Sequence, residues 1–173
     1  MTPVFVLTLF HVLVSLVAVV AGVSLILRLM RNRDDRRPAS WFLISIAITL
    51  ASGFVFPFKG ITPAIIVGIL CVLILAPTLY ARYRTPLTGL WRPVYVVGVT
   101  LLAFFNCLVL IIQSFQKIGP LNAIAPVGNE PPVLVSQVVL LLLALSVGII
   151  GLLRFRPVLT APLGVAPSAA HEV

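Results

Sequence analysis

The side chains with the greatest capacity for chemistry lie in one apolar stretch and the loop that follows it. Asn106, Gln113 and Lys117 recur at helical spacing along one stripe, and Glu130 and Gln137 follow across a proline-containing loop. A polar side chain inside an apolar segment costs free energy unless it has a partner. The clustering therefore predicts a binding site.

His11 is the remaining candidate, because it is the one histidine inside an apolar segment. At about 1.5 Å per residue it lies roughly 12 Å from the outer end of its segment, and Gln113 and Gln137 lie within about two turns of the same face. Imidazole and amide groups orient small ligands through hydrogen bonds. The same groups can instead hold helices together, each bond contributing about 0.6 to 2 kcal/mol. The binding interpretation predicts His11, Asn106, Gln113 and Gln137 as ligand-binding residues.

The charged residues near the outer loop have two interpretations. Lys117 and Glu130 form an ion pair that closes the loop over the bundle, or they are two solvated interfacial charges whose pairing stabilises little. Lys59 is predicted to extend its amine to the lipid headgroups.

A metal or redox role would have to involve His11. Cys71 and Cys107 lie at a similar depth, and thiolate and imidazole ligands suit Cu(I) or Zn(II). The alternative is that the cysteines are two small buried apolar residues that never meet. A haem with His11 as its single protein ligand is a further hypothesis, since His171 lies in the C-terminal tail. A quinone head group between His11 and the amides requires only hydrogen bonds.

Motifs of known enzymes are missing from the sequence. It contains no CxxC, HExxH, glycine-rich phosphate loop or Ser/His/Asp set, so no catalytic residues are predicted. No aspartate or glutamate lies within an apolar segment, which leaves a carboxylate-based proton or sodium relay without a carrier.

The composition identifies the kind of element that positions these residues. The chain is 61% hydrophobic and 9% charged, against about 25% charged residues in a soluble domain. This is the composition of an integral membrane protein. The net charge of +8 comes from basic residues that flank the apolar segments and set topology, so nucleic-acid binding is excluded.

Five apolar segments are each close to the roughly 20 residues that cross a bilayer. They predict an all-α, polytopic helical bundle in residues 1–157, followed by a flexible cytoplasmic tail over 158–173. The proline-containing loop between the last two spans is predicted to be extended rather than helical. The predicted spans are about 4–28, 41–58, 62–80, 93–115 and 132–153.

The distribution of charge predicts the orientation. All ten arginines flank the spans at one side of the bundle, and the other side carries only Lys59 and Lys117. The positive-inside rule then predicts the N-terminus outside and the C-terminus in the cytoplasm. A multi-pass protein of the bacterial inner membrane is expected.

A set of short sequence pieces is spread over most of the chain from Phe10 to Pro157. The set includes Phe10-His11, FVFPF at 54–58, Ala81-Arg82-Tyr83, Asn106, Gln113, Lys117, Glu130-Pro131-Pro132 and Gln137. In these pieces the chain resembles a group of small bacterial integral membrane proteins to which no function has been assigned. The resemblance implies a bacterial inner-membrane protein in which the outer loop and its flanking amides are a shared feature, and it implies no substrate or cofactor. At 127–129 this chain has Val-Gly-Asn where the group favours Thr-Gln-Ser.

Three functions follow as hypotheses. The favoured one is non-enzymatic binding or movement of a small molecule through a polar pocket in the extracytoplasmic half, formed by spans one, four and five. The second is an accessory or assembly subunit of a membrane protein complex, and the third is a quinone-, haem- or metal-linked redox protein. The expected partners are the lipid bilayer and either a second copy or another membrane protein.

Overall fold

The structure is a computed structural model that describes residues 2–33, 35–57, 60 and 62–157. Lys59 and the tail from residue 158 lie outside the described residues. The described part of the chain is helical and contains no strand. The helices are α1 (Pro3–Met30), α2 (Arg36–Phe54), α3 (Pro63–Arg84), α4 (Trp91–Lys117), α5 (Gly119–Ile124) and α6 (Pro131–Arg154).

Five of these helices, all except α5, are long and apolar enough to cross a membrane. The predicted all-α fold with five such helices is therefore confirmed. The third of these long helices has a side-chain cap at its start, because the Thr62 hydroxyl accepts the Ile65 N–H and Pro63 occupies the first helical position.

The second span is displaced from the predicted 41–58. It begins at Arg36, since Pro38 falls in the first turn, where a proline needs no hydrogen-bond partner. It ends at Phe54, ahead of Pro57, because a proline disfavours helical geometry in the residue before it.

The loop predicted to be extended contains the short helix α5, so that prediction is wrong in part. Pro120 lies in the first turn of α5, where a proline is tolerated. The Asn122 amide donates to the Phe115 carbonyl at 3.3 Å, which anchors this turn to the end of α4. Pro126 follows α5 in the loop, and Pro131 is the first residue of α6.

Helix α4 is the centre of the bundle and contacts α1, α3, α5 and α6. Small residues allow the close approach. A Cβ at Gly22 of α1 would lie 2.8 Å from the Phe42 ring of α2, and one at Gly151 of α6 would lie 3.0 Å from Val96 of α4. The small residues of α1 and α6 thus face neighbouring helices within the bundle.

Packing is tightest at the arginine-rich end, which comprises the loops around residues 31–35 and 85–90 and the C-terminal end of α6. Tyr95 and Phe155 are fully buried there, with ring centroids 6.2 Å apart. Arg92 Nη1 donates to the Phe155 carbonyl at 2.5 Å, and the Arg156 N–H donates to Asn32 Oδ1 at 2.6 Å. These bonds join the C-terminal end of α6 to α4 and to the end of α1.

Arg82, in the last turn of α3, is buried at the arginine-rich end. It is 9% exposed, and its guanidinium carbon lies 5.6 Å from the centroid of the Tyr95 ring. A guanidinium at this distance from an aromatic face is attracted by the ring quadrupole.

Candidate functional site

The candidate site lies in the arginine-poor half of the bundle, which contains the beginning of α1, the end of α4 and the beginning of α6. His11 of α1 contacts the end of α2, where its Nδ1 lies 2.9 Å from Ser52 Oγ. The ring also packs edge-on against Phe56, with centroids 5.6 Å apart. The contact between His11 and Ser52 was not predicted, although Ser45, Thr49 and Ser52 lie at helical spacing on one face of α2.

The position of the Ser52 hydroxyl proton determines which His11 nitrogen can accept a hydrogen bond from another molecule. The Ser52 hydroxyl donates its only proton to the Thr49 carbonyl at 3.0 Å. We therefore assign His11 Nδ1–H as the donor to Ser52 Oγ. In a neutral imidazole the other nitrogen is then an acceptor, and no described residue donates to Nε2.

Asn106 links α4 to α1. Its Nδ2 donates to the Ser15 carbonyl at 3.0 Å, one turn of α1 beyond His11. The amide nitrogen thus has a structural role, as the helix-packing alternative predicts. No described residue hydrogen-bonds to the Asn106 side-chain oxygen.

Gln113 lies two turns beyond Asn106 on the same face of α4. Its Oε1 is inaccessible to solvent and has no hydrogen-bond partner among the described residues. Leaving such an acceptor unsatisfied costs about 1 to 3 kcal/mol. Gln116, three residues further on, is exposed and carries no such cost.

The antiparallel packing brings Gln137 to the same depth as Gln113. Val133 of α6 packs against Phe115 of α4, so Gln137, one turn further along α6, lies near the level of residue 111. The Asn106 bond to Ser15 sets His11 near the level of residue 110. Helices α1, α4 and α6 contact one another pairwise. The three side chains therefore lie within about one turn of the same depth.

This half of the bundle is packed less tightly than the other. Every residue from 103 to 114 on the central helix is only partly buried, and no residue of α1 before Ala18 is buried. On α6 the residues between Val133 and Gly151 are likewise partly or fully exposed. Most side chains here are therefore partly open to the surroundings of the bundle.

The Glu130 carboxylate hydrogen-bonds to the backbone of the loop between α5 and α6. It accepts the Val127 and Gly128 N–H groups, each at 2.8 Å, and Gly128 adopts a left-handed conformation with φ of +86°. The Val127 bond above all holds the pKa of the Glu130 carboxyl below its usual value. The predicted ion pair between Glu130 and Lys117 is not formed in the structure. The ion pair found among the described residues joins Arg28 and Asp35.

The predicted metal ligands are not brought together. No group of three His, Cys, Asp or Glu side chains that could hold a metal ion occurs among the described residues. Cys71 is buried in the main core and Cys107 is half-buried, and both are free thiols. The alternative reading of the cysteines as small apolar residues fits this placement.

Two cavities lie elsewhere on the molecule. A groove of about 580 Å³ follows the outer surface of α1 and α2. A smaller cavity of about 320 Å³ lies at the arginine-rich end, between the loop at Leu87 and the side chains of Arg92 and Arg156. None of the four predicted ligand-binding residues lines either one.

Comparison of the chain with protein-family models, with curated proteins and with solved structures gives no match.

Proposed function

We propose that this protein binds or moves a small, neutral, hydrogen-bond-donating molecule at the junction of α1, α4 and α6. The site consists of His11, Asn106, Gln113 and Gln137. The proposal includes the orientation that the arginines predict, with the N-terminus outside and the arginine-rich end in the cytoplasm of a bacterial cell. The site then faces the extracytoplasmic side of the inner membrane.

The buried, unpartnered Oε1 of Gln113 carries this proposal. A chain under selection only for stable packing would gain from an apolar side chain here, since a buried acceptor without a donor is a net cost. A ligand N–H or O–H group at this position would remove the cost. The binding energy of the ligand would include the relief of that penalty.

The chemical class of the ligand follows from the groups that we propose contact it. Gln113 Oε1 and His11 Nε2 are both acceptors, so a matching molecule must offer donors. The chain's four acidic residues all lie outside the five long helices. Without a carboxylate to neutralise it, a cation would be held weakly at membrane depth, which favours a neutral molecule.

Native mass spectrometry of the protein, extracted gently from its own membrane, tests the proposal. The expected result is a discrete small-molecule adduct beyond ordinary phospholipid. Replacing Gln113 by Leu should lower its retention about two- to tenfold, the range that one hydrogen bond provides. Gln116→Leu is the matched control, because it makes the same change at an exposed position of the same helix.

The stability of the ligand-free protein separates this role from a purely structural one. Gln113→Leu should leave the free energy of unfolding unchanged or raise it, because it removes an unsatisfied group. A marked loss of stability without any change in bound mass would mean that the amide serves helix packing. A protein that carries no adduct and always co-purifies with a second polypeptide would instead support the accessory-subunit hypothesis.

A further inference from the structure

The groove along α1 and α2 is chemically asymmetric and lies apart from the His11 site. Its length is lined by apolar side chains, and its end beside the first turn of α2 is lined by an arginine and a tryptophan. The residues that matter most here are Leu13, Val17, Val20 and Ala21 on α1 with Arg37 and Trp41 on α2.

The length of the groove matches one leaflet of a bilayer. From Leu13 to Ser24 along α1 the rise is about 16 Å. The hydrocarbon of one leaflet is about 15 Å deep, half of the roughly 30 Å core. The apolar part of the groove can therefore accommodate one acyl chain lying parallel to the helices.

The polar end of the groove has an available cation. Arg28 nearby is paired with Asp35, whereas no described residue forms a hydrogen bond or ion pair with Arg37. A guanidinium binds phosphate oxygens through two parallel N–H groups. Trp41 is 66% exposed one turn further along α2, at the position where tryptophan marks the membrane interface.

We propose that this groove binds one anionic phospholipid of the leaflet at the arginine-rich end. An acyl chain lies along α1 between Leu13 and Ser24, and the phosphate contacts Arg37. A second copy of the chain fits less well, because it would have to bring an acidic group to Arg37. Of the described acidic residues, Asp35 is already paired and Glu130 lies at the opposite end of the bundle.

Tryptophan quenching by brominated lipids tests the proposal directly. The chain has two tryptophans, so a Trp91→Phe background leaves Trp41 as the single reporter at the groove. The protein is reconstituted into vesicles that mix phosphatidylglycerol and phosphatidylcholine of the same chain length, with bromine on the chains of one lipid at a time. Trp41 should prefer phosphatidylglycerol by about fivefold, the effect of one basic residue near an anionic headgroup.

Matched variants separate a defined site from general surface charge. Arg37→Gln should bring the preference close to one, whereas Arg36→Gln, which removes the same charge beside the groove, should leave it intact. Val20→Phe fills the groove and should weaken quenching by either lipid. Val23→Phe, at an exposed position of α1 outside the groove, should not.

Three results would overturn the proposal. The first is equal quenching by the two lipids in the Trp91→Phe protein. The second is an equal loss of preference in the Arg36 and Arg37 variants, which would indicate a diffuse charge effect. The third is unaltered quenching in Val20→Phe. The groove and the His11 site share no side chain, so these results do not bear on the proposed function.

Discussion

At the scale of single residues, one serine proton sets the chemistry of the candidate site. Ser52 gives that proton to Thr49, so His11 donates through Nδ1 and keeps Nε2 as an acceptor. Together with Gln113 Oε1, this arrangement presents two acceptors in the arginine-poor half of the bundle. The ligand class inferred above depends on this tautomer.

The tautomer of His11 can be measured by nitrogen NMR of the protein in lipid. His11 is the one histidine within the five long helices, which simplifies assignment. We expect a protonated Nδ1 and an unprotonated Nε2. Ser52→Ala should abolish this preference, because it removes the acceptor for Nδ1–H. A predominantly Nε2–H ring in the unmodified protein would contradict the assignment.

The loop before α6 should be sensitive to acid. The folded-state pKa of Glu130 is lowered by the Val127 and Gly128 N–H groups, so its contribution to loop order is fully present above the usual value of 4.5. That contribution is lost as the pH falls through the lowered pKa. Hydrogen-exchange protection of the Val127 and Gly128 amides should decrease over this range.

Glu130→Gln provides the control for this pH effect, because its side chain keeps its shape but does not titrate there. In that variant the protection of the two amides should be weaker at neutral pH and nearly independent of pH. Protection that stays constant in the unmodified protein down to pH values well below 4.5 would show that the carboxylate does not order the loop.

At the scale of helices, the bundle depends on glycines at its crossings. A Cβ at Gly98 of α4 would lie 3.1 Å from the Cβ of Thr78 and closer still to its hydroxyl, which is bonded to the Ile74 carbonyl at 2.6 Å. Gly98→Ala should therefore lower the free energy of unfolding by about 1 to 3 kcal/mol, as overpacking does. Unfolding in mixed micelles by a denaturing detergent measures the change.

Gly53 of α2 is the matched control. Its added Cβ would meet only His11 Cε1, at an ordinary 3.5 Å. Alanine is favoured over glycine in a helix by up to about 1 kcal/mol, so Gly53→Ala should be neutral or stabilising. Equal losses in the two variants would contradict the claim that α3 and α4 are in close contact at Gly98.

The helices themselves could be predicted from the sequence because their causes are local. Apolar runs of the required length, the Thr62 cap and the Pro63 start are all visible in the chain. The start of α2 was missed because Arg36 and Arg37 are too polar to be assigned to a span. The short helix α5 was missed because its proline was taken as a helix breaker.

The partners of the polar residues could not be predicted, because they depend on how each helix is rotated against its neighbours. The sequence places His11 and Gln113 on definite helix faces. It does not show that His11 hydrogen-bonds to Ser52, or that Gln113 Oε1 has no hydrogen-bond partner among the described residues. In the same way, nothing in the spacing of Arg82 indicates that it is buried beside Tyr95.

At the scale of the whole molecule, the two halves of the bundle differ in how fully their side chains are buried. Fully buried large side chains such as Phe42, Tyr95 and Phe155 gather toward the arginine-rich end. The partly buried positions of α1, α4 and α6 gather at the other end, beside the candidate site. Under the proposed function, a ligand would enter from the arginine-poor end, where fewer side chains are buried.

Cysteine labelling tests which side of the membrane each end faces. In a protein with Cys71 and Cys107 replaced by Ser, single cysteines are introduced as Asn129→Cys and Thr88→Cys, both at exposed loop positions. A membrane-impermeant maleimide should label Asn129→Cys on intact cells and Thr88→Cys only after lysis. The reverse pattern would place the candidate site on the cytoplasmic side.

The most direct test of the central claim is an experimental density map of the protein extracted in its native lipid, with a bound antibody fragment to aid alignment. We predict non-protein density at the junction of α1, α4 and α6, within hydrogen-bonding distance, about 3 Å, of Gln113 Oε1. This prediction would be contradicted by a map in which that junction is empty and the Gln113 amide is rotated onto a protein donor.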